Sequence, residues 1–293
     1  MPQHAELFPA AFFADDHGPA SQLFKPEEPV WEGLRALKDF FAQYSWPLWP
    51  RELASSPGPL AQTLVIYQPK PEYARTSENI HADGGNHEPP RIIAGDRCLI
   101  RYGGTNKGEL EVTHEGQLLA GASVLMAGVV LMGHRFSLGR GVLVESGAFL
   151  KEPFIIGDQS EVRQGAYLRG HCLIGRRCVV GHVTEVKHSI FFDEAKAGHF
   201  AYLGDSILGP GVNLGAGTKL ANLRFTGGNV PIRHQGRNID SGLKKLGAIL
   251  GAGGQSGCNS VTNPGTLLGR GGIILPNTTA PSGYHPPRSI IRG

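Results

Sequence analysis

An apolar residue recurs at every sixth position through the middle of the chain: Met126, Met132, Leu138, Val144, Leu150, Ile156, Val162, Leu168, Ile174, Val180 and Val186. Glycine follows at 133, 139, 157, 175 and 181, and a small or medium residue sits four places on at Val142, Ala148, Ser160, Ala166, Cys172, Cys178 and Thr184. An α-helix cannot keep an apolar stripe at a period of six, and a plain strand needs a period of two. A six-residue unit repeated this long predicts short flat strands joined by turns and stacked as a β-helix. The pattern predicts a break around 190–207, a return at Leu208, Leu214 and Leu220, a polar insert at 224–245, and a second return at Leu250, Ser256, Thr262, Leu268 and Ile274. Insertions in solenoids project from one face, often the binding face.

The flanks follow other rules. Residues 1–120 form an N-terminal cap region, and 121–293 the solenoid with its insert and an extended arm at 278–293. Val30, Leu34, Leu37, Phe41 and Tyr44 share one helical face, which predicts a helix at about 30–45 opened near Pro29 and closed before Pro47 and Pro50. That helix is expected to cap something else, with a partner-binding module as the alternative. Residues 61–67 predict a short strand, 68–92 a polar loop, and 93–120 short strands leading into the solenoid. His81, Asp83 and His87 match no strong zinc spacing, so no metal is predicted.

Composition narrows the function classes. Net charge is +3, which demands neither nucleic acid nor a membrane surface, although the 28 basic residues suffice for a small anion. The 42 glycines show no period of three and suit turns that need positive φ. Of the four cysteines, Cys172 and Cys178 fall on the small inward position and read as buried spacers rather than a disulfide or metal ligands. With no signal-peptide pattern and no apolar run that spans a bilayer, a cytoplasmic protein is expected.

Five segments carry a resemblance: Gly-His-Val-Thr-Glu-Val-Lys-His-Ser at 181–189, Lys-Ala-Gly-His-Phe-Ala-Tyr-Leu-Gly-Asp at 196–205, Gly-Val-Asn-Leu-Gly-Ala-Gly at 211–217, Ala-Asn-Leu-Arg-Phe at 221–225 and Lys-Leu-Gly-Ala at 245–248. In this order they resemble the acetyltransferase domain of the bifunctional N-acetylglucosamine-1-phosphate uridylyltransferase/glucosamine-1-phosphate acetyltransferases. Relatives joined to sugar-1-phosphate nucleotidylyltransferase domains are the nearer likeness. The resemblance implies a mainly β protein, a left-handed parallel β-helix of hexapeptide repeats with a small helical or mixed cap. It also implies a homotrimer.

In such a fold three six-residue faces make a coil of about 18 residues, so Arg169 and Lys187 stack, and two stacked cations repel unless an anion joins them. The resemblance implies that these two bind the sugar phosphate, that Tyr202 contacts phosphate or sugar, and that Asn213 and Asn222 hydrogen-bond the sugar and its acetyl group. His199 would be the base that deprotonates the sugar amine as it attacks acetyl-CoA, a task suited to imidazole. Ala216, Gly217, Ala248 and Ser256 would line the acetyl-CoA groove. The implied partners are acetyl-CoA and an amino-sugar phosphate, serving UDP-N-acetylglucosamine or other nucleotide-sugar synthesis.

Two departures bear on this expectation. About 120 residues precede the solenoid, too few for the nucleotidyltransferase domain, and the Gly-Gly-Thr-Asn-Lys-Gly run at 103–108 reads as a plain turn. The stretch at 226–232, shortly after the Asn-Leu-Arg block, also lacks the lysines that the family carries there, leaving Arg224, Arg233 or Lys244 as substitutes. The alternative reading is a non-catalytic sugar-phosphate-binding or scaffold β-helix.

Overall fold

The computed structural model describes residues 4–13, 20–50, 53, 58–67 and 90–293. From Ser123–Leu125 onward, strands of two to four residues pair in parallel with strands one coil away and form three sheets. The result is a left-handed parallel β-helix of about nine turns. We call the sheets the first, second and third faces, in the order in which each coil visits them. The apolar residue of each unit fills the interior: Val144, Leu150, Ile156, Val162, Leu168, Val180 and Val186 are 0% exposed, as are the small residues from Val142 to Thr184. Burial pushes the thiol of Cys172 up to about 12, consistent with an inert spacer.

The period slips where the sequence hides it. In the first coil Leu125 and Leu131 point inward rather than Met126 and Met132, because Leu131 pairs with Leu150 while Leu138 pairs with Ile156. One extra residue is absorbed at the turn containing Gly133, whose φ is 101°. Nor is there a break at 190–207. Phe191, Ala197 and Leu203 continue the core, and the coils there are one residue short: Leu173 pairs with Ile190, and Val186 with Leu203. His188 and Asp205, at φ 47° and 48°, turn these shortened corners between the second and third faces.

The flanking segments cover two faces. A short helix, α1 (Pro9–Phe12), and a longer one, α2 (Glu32–Gln43), lie over the third face. Val30, Leu34, Leu37 and Phe41 form one cluster with Ile155, Leu173, Ile190, Phe192, Ile207, Ile249 and Leu267. Burying each such side chain contributes about 1.5–3 kcal/mol, so the amphipathic stripe read from sequence finds its partner in the chain's own solenoid. Leu64–Tyr67 and Arg91–Ala94 extend the first face antiparallel, and a three-stranded sheet that includes Cys98–Tyr102 and Leu110–His114 packs beside it. The glycine-rich run before Leu110 is a turn within that sheet. His81, Asp83 and His87 lie outside the described residues. Among the described residues no group of His, Cys, Asp and Glu could hold a metal, and no helix is long and apolar enough to cross a membrane.

Two expectations about the C-terminal half are corrected. The insert contains a β-hairpin, Pro231–His234 with Arg237–Asp240, and it buries Val230 and Ile232 in the third-face cluster instead of projecting. The supposed arm continues the coil through Thr279–Ala280, Gly283–His285 and Ile290–Ile291, because Ala280 and Ile291 still fill the interior.

Candidate functional site

The second face carries most of the chemistry. In Tyr167–Arg169 and Glu185–Lys187 the middle residue points inward, so the flanking side chains stand on the outer surface. Lys151 pairs with Arg169 and Leu168 with Val186, so Lys151, Arg169 and Lys187 follow one another down one edge. The two expected cations are therefore stacked, but they are not bare. Arg169 Nη1 lies 2.6 Å from Glu185 Oε1, and Lys187 Nζ lies 3.1 Å and 3.3 Å from the Asp205 carboxylate oxygens. Each charge brings its own counter-ion, so carboxylates of the chain itself relieve the repulsion expected of two cations at strand spacing.

Tyr202 stands on the same face, in register with Glu185, and its hydroxyl donates to Asn222 Oδ1 at 3.4 Å. Asn222 is 8% exposed and donates its Nδ2 to Asp205 Oδ2. A methyl group at Gly204 would meet Asn222 Nδ2 at 2.4 Å and the Tyr202 hydroxyl at 2.6 Å, so a side chain there would crowd this junction. Asp205 is thus the hub that links Lys187, His188 and Asn222. Burial pushes its carboxyl up, but the His188 hydrogen bond, the Lys187 charge and the Asn222 hydrogen bond outweigh that and hold it below the ordinary aspartate value.

His199 lies at the opposite edge of this face, on the corner from the first face, and is exposed. It pairs in register with His182, and the two imidazoles stack with centroids 5.6 Å apart. Val183 and Phe200 turn the corner beside them at φ 50° and 51°, and both are exposed. Asn213 is exposed on the first face, between Lys196 and Gln255. Ala216 and Gly217 follow one coil above His199, and the Gly217 amide donates to the His199 carbonyl at 3.0 Å. Ala248 and Ser256 differ from expectation. Ala248 is 0% exposed in the core, and Ser256 Oγ accepts from the Gly215 amide and bonds Thr218 inside the coil. Their side chains face inward and offer nothing to an external groove.

The proposed substitutes for the insert lysines separate. Arg224 donates to the Asn229 carbonyl at 2.6 Å, and Arg233 lines a cleft with Glu6, His234 and Tyr284 behind the hairpin. Lys244 is exposed, next to Lys245, which bridges to Leu223 one residue beyond Asn222. Sequence reasoning did not assign Glu185, Asp205, His188 or His182. Asp205 closes the 196–205 motif, and the 17-residue pairing that sets His182 beside His199 is visible only once the shortened coils are known.

Behind this edge, His171 sits half-buried against Phe41 of α2, with His188 at 6.0 Å between ring centroids. Burial, then the neighbouring charges of His188, Lys38, Arg135 and Lys187, lower its pKa to about 4. The unfolded chain binds this proton near 6.5 and the folded one only near 4, so stability is present above pH 6.5 and is lost as pH falls toward 4. We expect His171→Asn to flatten the pH dependence of urea unfolding across that window. The effect is about 2 kcal/mol once solvent screening at this corner is allowed for. An unchanged slope in the variant would rule this out.

Comparisons with known proteins fit the repeat. Residues 150–237 match the family model "GMPPB C-terminal domain". A bifunctional sugar-1-phosphate nucleotidylyltransferase/acetyltransferase of Sulfurisphaera tokodaii is 37% identical over 151 residues, 45% of this chain and 38% of that protein. A bifunctional protein GlmU of Methanococcus maripaludis is 38% identical over 112 residues, 38% of this chain and 27% of that protein. The chain therefore spans about a third of the length of these curated relatives. Among solved structures, the N-acyltransferase AntD of Bacillus cereus, in complex with dTDP and coenzyme A, matches 55% of this chain and 71% of its own at 16% identity and a TM-score of 0.25. A match that loose carries no argument.

Proposed function

We infer that this chain, a hexapeptide-repeat solenoid related in sequence to the bifunctional sugar-1-phosphate nucleotidylyltransferase/acetyltransferases, is an acetyl-CoA-dependent N-acetyltransferase for an amino-sugar 1-phosphate. The observation that carries the reading is the second face, with a cationic edge at Arg169 and Lys187 and an exposed imidazole at His199 on the other edge. The two edges are one short strand apart, roughly 10 Å at 3.3 Å per residue, a span that one phosphorylated hexose fills.

In this mechanism the sugar phosphate rests on Arg169 and Lys187, Tyr202 and Asn222 contact the ring, and the amine points toward His199. The amine attacks the thioester carbonyl carbon and gives its proton to the imidazole. The intermediate collapses, the carbon–sulfur bond breaks, and the imidazolium returns the proton to the departing thiolate. Asn213 would hydrogen-bond the acetyl group being transferred, and the Ala216–Gly217 corner would meet the acetyl-CoA arm. The third face is covered by α1, α2 and the hairpin, so a homotrimer would use the first and second faces and their shared corner, where Val183 and Phe200 are exposed. Two buried free thiols suit a reducing, cytoplasmic setting.

Release of CoA thiol from acetyl-CoA, with glucosamine 1-phosphate and galactosamine 1-phosphate as acceptors, tests the reading. Folded protein that turns over neither acceptor would refute it. Within the reading, Arg169→Met removes a charge-assisted contact and raises the acceptor KM about 10-fold or more while leaving the acetyl-CoA KM unchanged. A non-catalytic sugar-phosphate-binding solenoid is favoured by one observation, that Glu185 and Asp205 already neutralise both cations. Calorimetry that detects sugar phosphate and no CoA would select it.

A further inference from the structure

Lys187 and Asp205 are 18 residues apart, so an uninterrupted coil would set the aspartate directly beneath the lysine on the open face. The coil is one residue short, and Gly204 takes that register position instead. Asp205 moves to the corner at φ 48°, a conformation that aspartate tolerates better than most residues. Its side chain is 8% exposed and lies behind the face, whereas the Lys187 side chain remains 28% exposed. There the carboxylate accepts from Lys187, from His188 Nδ1 at 2.9 Å and from Asn222 Nδ2, while its own backbone amide donates to the Lys187 carbonyl at 2.9 Å. His188 lies in turn beside His171, under Phe41 of α2. A carboxylate this deep is costly unless every partner is in place, so its removal would leave Lys187 and Asn222 without the group that aims them.

We propose that Asp205 is the positioning residue of the acceptor site: from behind the face it fixes Lys187 and Asn222, and through Asn222 the Tyr202 hydroxyl, while His188 Nδ1 anchors it from the corner beside His171. The shortened coil is the device that achieves this. It takes the negative charge off the surface where an anionic acceptor would land and keeps it close enough to hold the ammonium. An acceptor phosphate can then approach Lys187 from the front without meeting Asp205, which keeps His188 and Asn222 as partners.

The tether is read without reference to activity. Trace acetylation with acetic anhydride, quantified by peptide mass spectrometry, compares Lys187 with Lys151, which is exposed on the same edge. In the native full chain we expect Lys187 to react several-fold more slowly than Lys151, and Asp205→Asn to raise Lys187 labelling while leaving Lys151 unchanged. Equal reactivity of the two lysines in the native chain overturns the tether whether or not the variant folds. The functional half rests on the acyl transfer proposed above and is read from a double-mutant cycle. Asp205→Asn should lower kcat/KM for the amino-sugar 1-phosphate about 10- to 100-fold with the acetyl-CoA KM unchanged, and should cost several-fold less in a Lys187→Met background, where only its hold on Asn222 and Tyr202 remains to be lost. Additive losses, or an acetyl-CoA KM that moves in step, overturn the positioning role. If the native chain releases no CoA with either acceptor, the acyl-transfer reading falls, and the labelling ratio alone upholds or overturns the tether.

Discussion

His199→Gln is expected to lower kcat for CoA release by about 10²- to 10⁴-fold, the usual contribution of one general base, with both KM values nearly unchanged. Its environment explains why the loss falls on chemistry rather than on folding. The side chain is exposed, and among the described residues it makes ring contacts only, with His182 and Phe200. A residue so lightly held contributes little to the native state, and the variant should unfold within about 0.5 kcal/mol of the parent. The measurement pairs steady-state kinetics with urea unfolding on the same preparation. A folded Gln variant that keeps a tenth or more of the parental kcat would remove His199 from the mechanism and leave the second face as a binding surface.

The largest expected effect on stability comes from a methyl group. Gly181→Ala should cost at least about 3–5 kcal/mol or prevent folding. The added Cβ would lie 1.7 Å from the Gly198 carbonyl oxygen and 2.0 Å from its carbon, both backbone atoms of the next coil. Strands in a stack sit roughly 4.8 Å apart and are tied on both sides, so neither can withdraw without lengthening hydrogen bonds along the face. Gly198→Ala is the internal control. A Cβ there meets nothing within 4 Å, and the change should stay within about 1 kcal/mol of the parent. Equal tolerance at the two positions, measured by thermal and urea unfolding, would mean that the first face does not pair as described at Val179–His182 and Lys196–His199.

A simple architectural rule made much of this protein readable. An apolar side chain every six residues has one place to go, so the run from Val144 to Val186 identified both the solenoid and its interior. The helical stripe at Val30, Leu34, Leu37 and Phe41 was equally legible, although only the tertiary structure supplies its partner, the outer surface of the third face. Single-residue slips were not legible. A coil that is short by one looks like lost periodicity in the 190–207 stretch, because the repeat is read by counting and every later position shifts. Small residues such as Ala248 and Ser256 suit a groove wall and a coil interior alike, and only the tertiary structure shows that their side chains point inward.

By itself, then, the sequence determined the solenoid, its apolar interior, the cap helix and the residue types gathered at 169–222, because burial and strand pairing act locally and leave a periodic trace. The tertiary structure decided how charge is balanced at the site. Arg169 meets Glu185, and Lys187 meets Asp205, pairs 16 and 18 residues apart that are joined across neighbouring coils. Those pairings depend on which corner is one residue short and on where a side chain leaves the face. Such facts are fixed by how neighbouring coils stack, and no count along a single strand contains them.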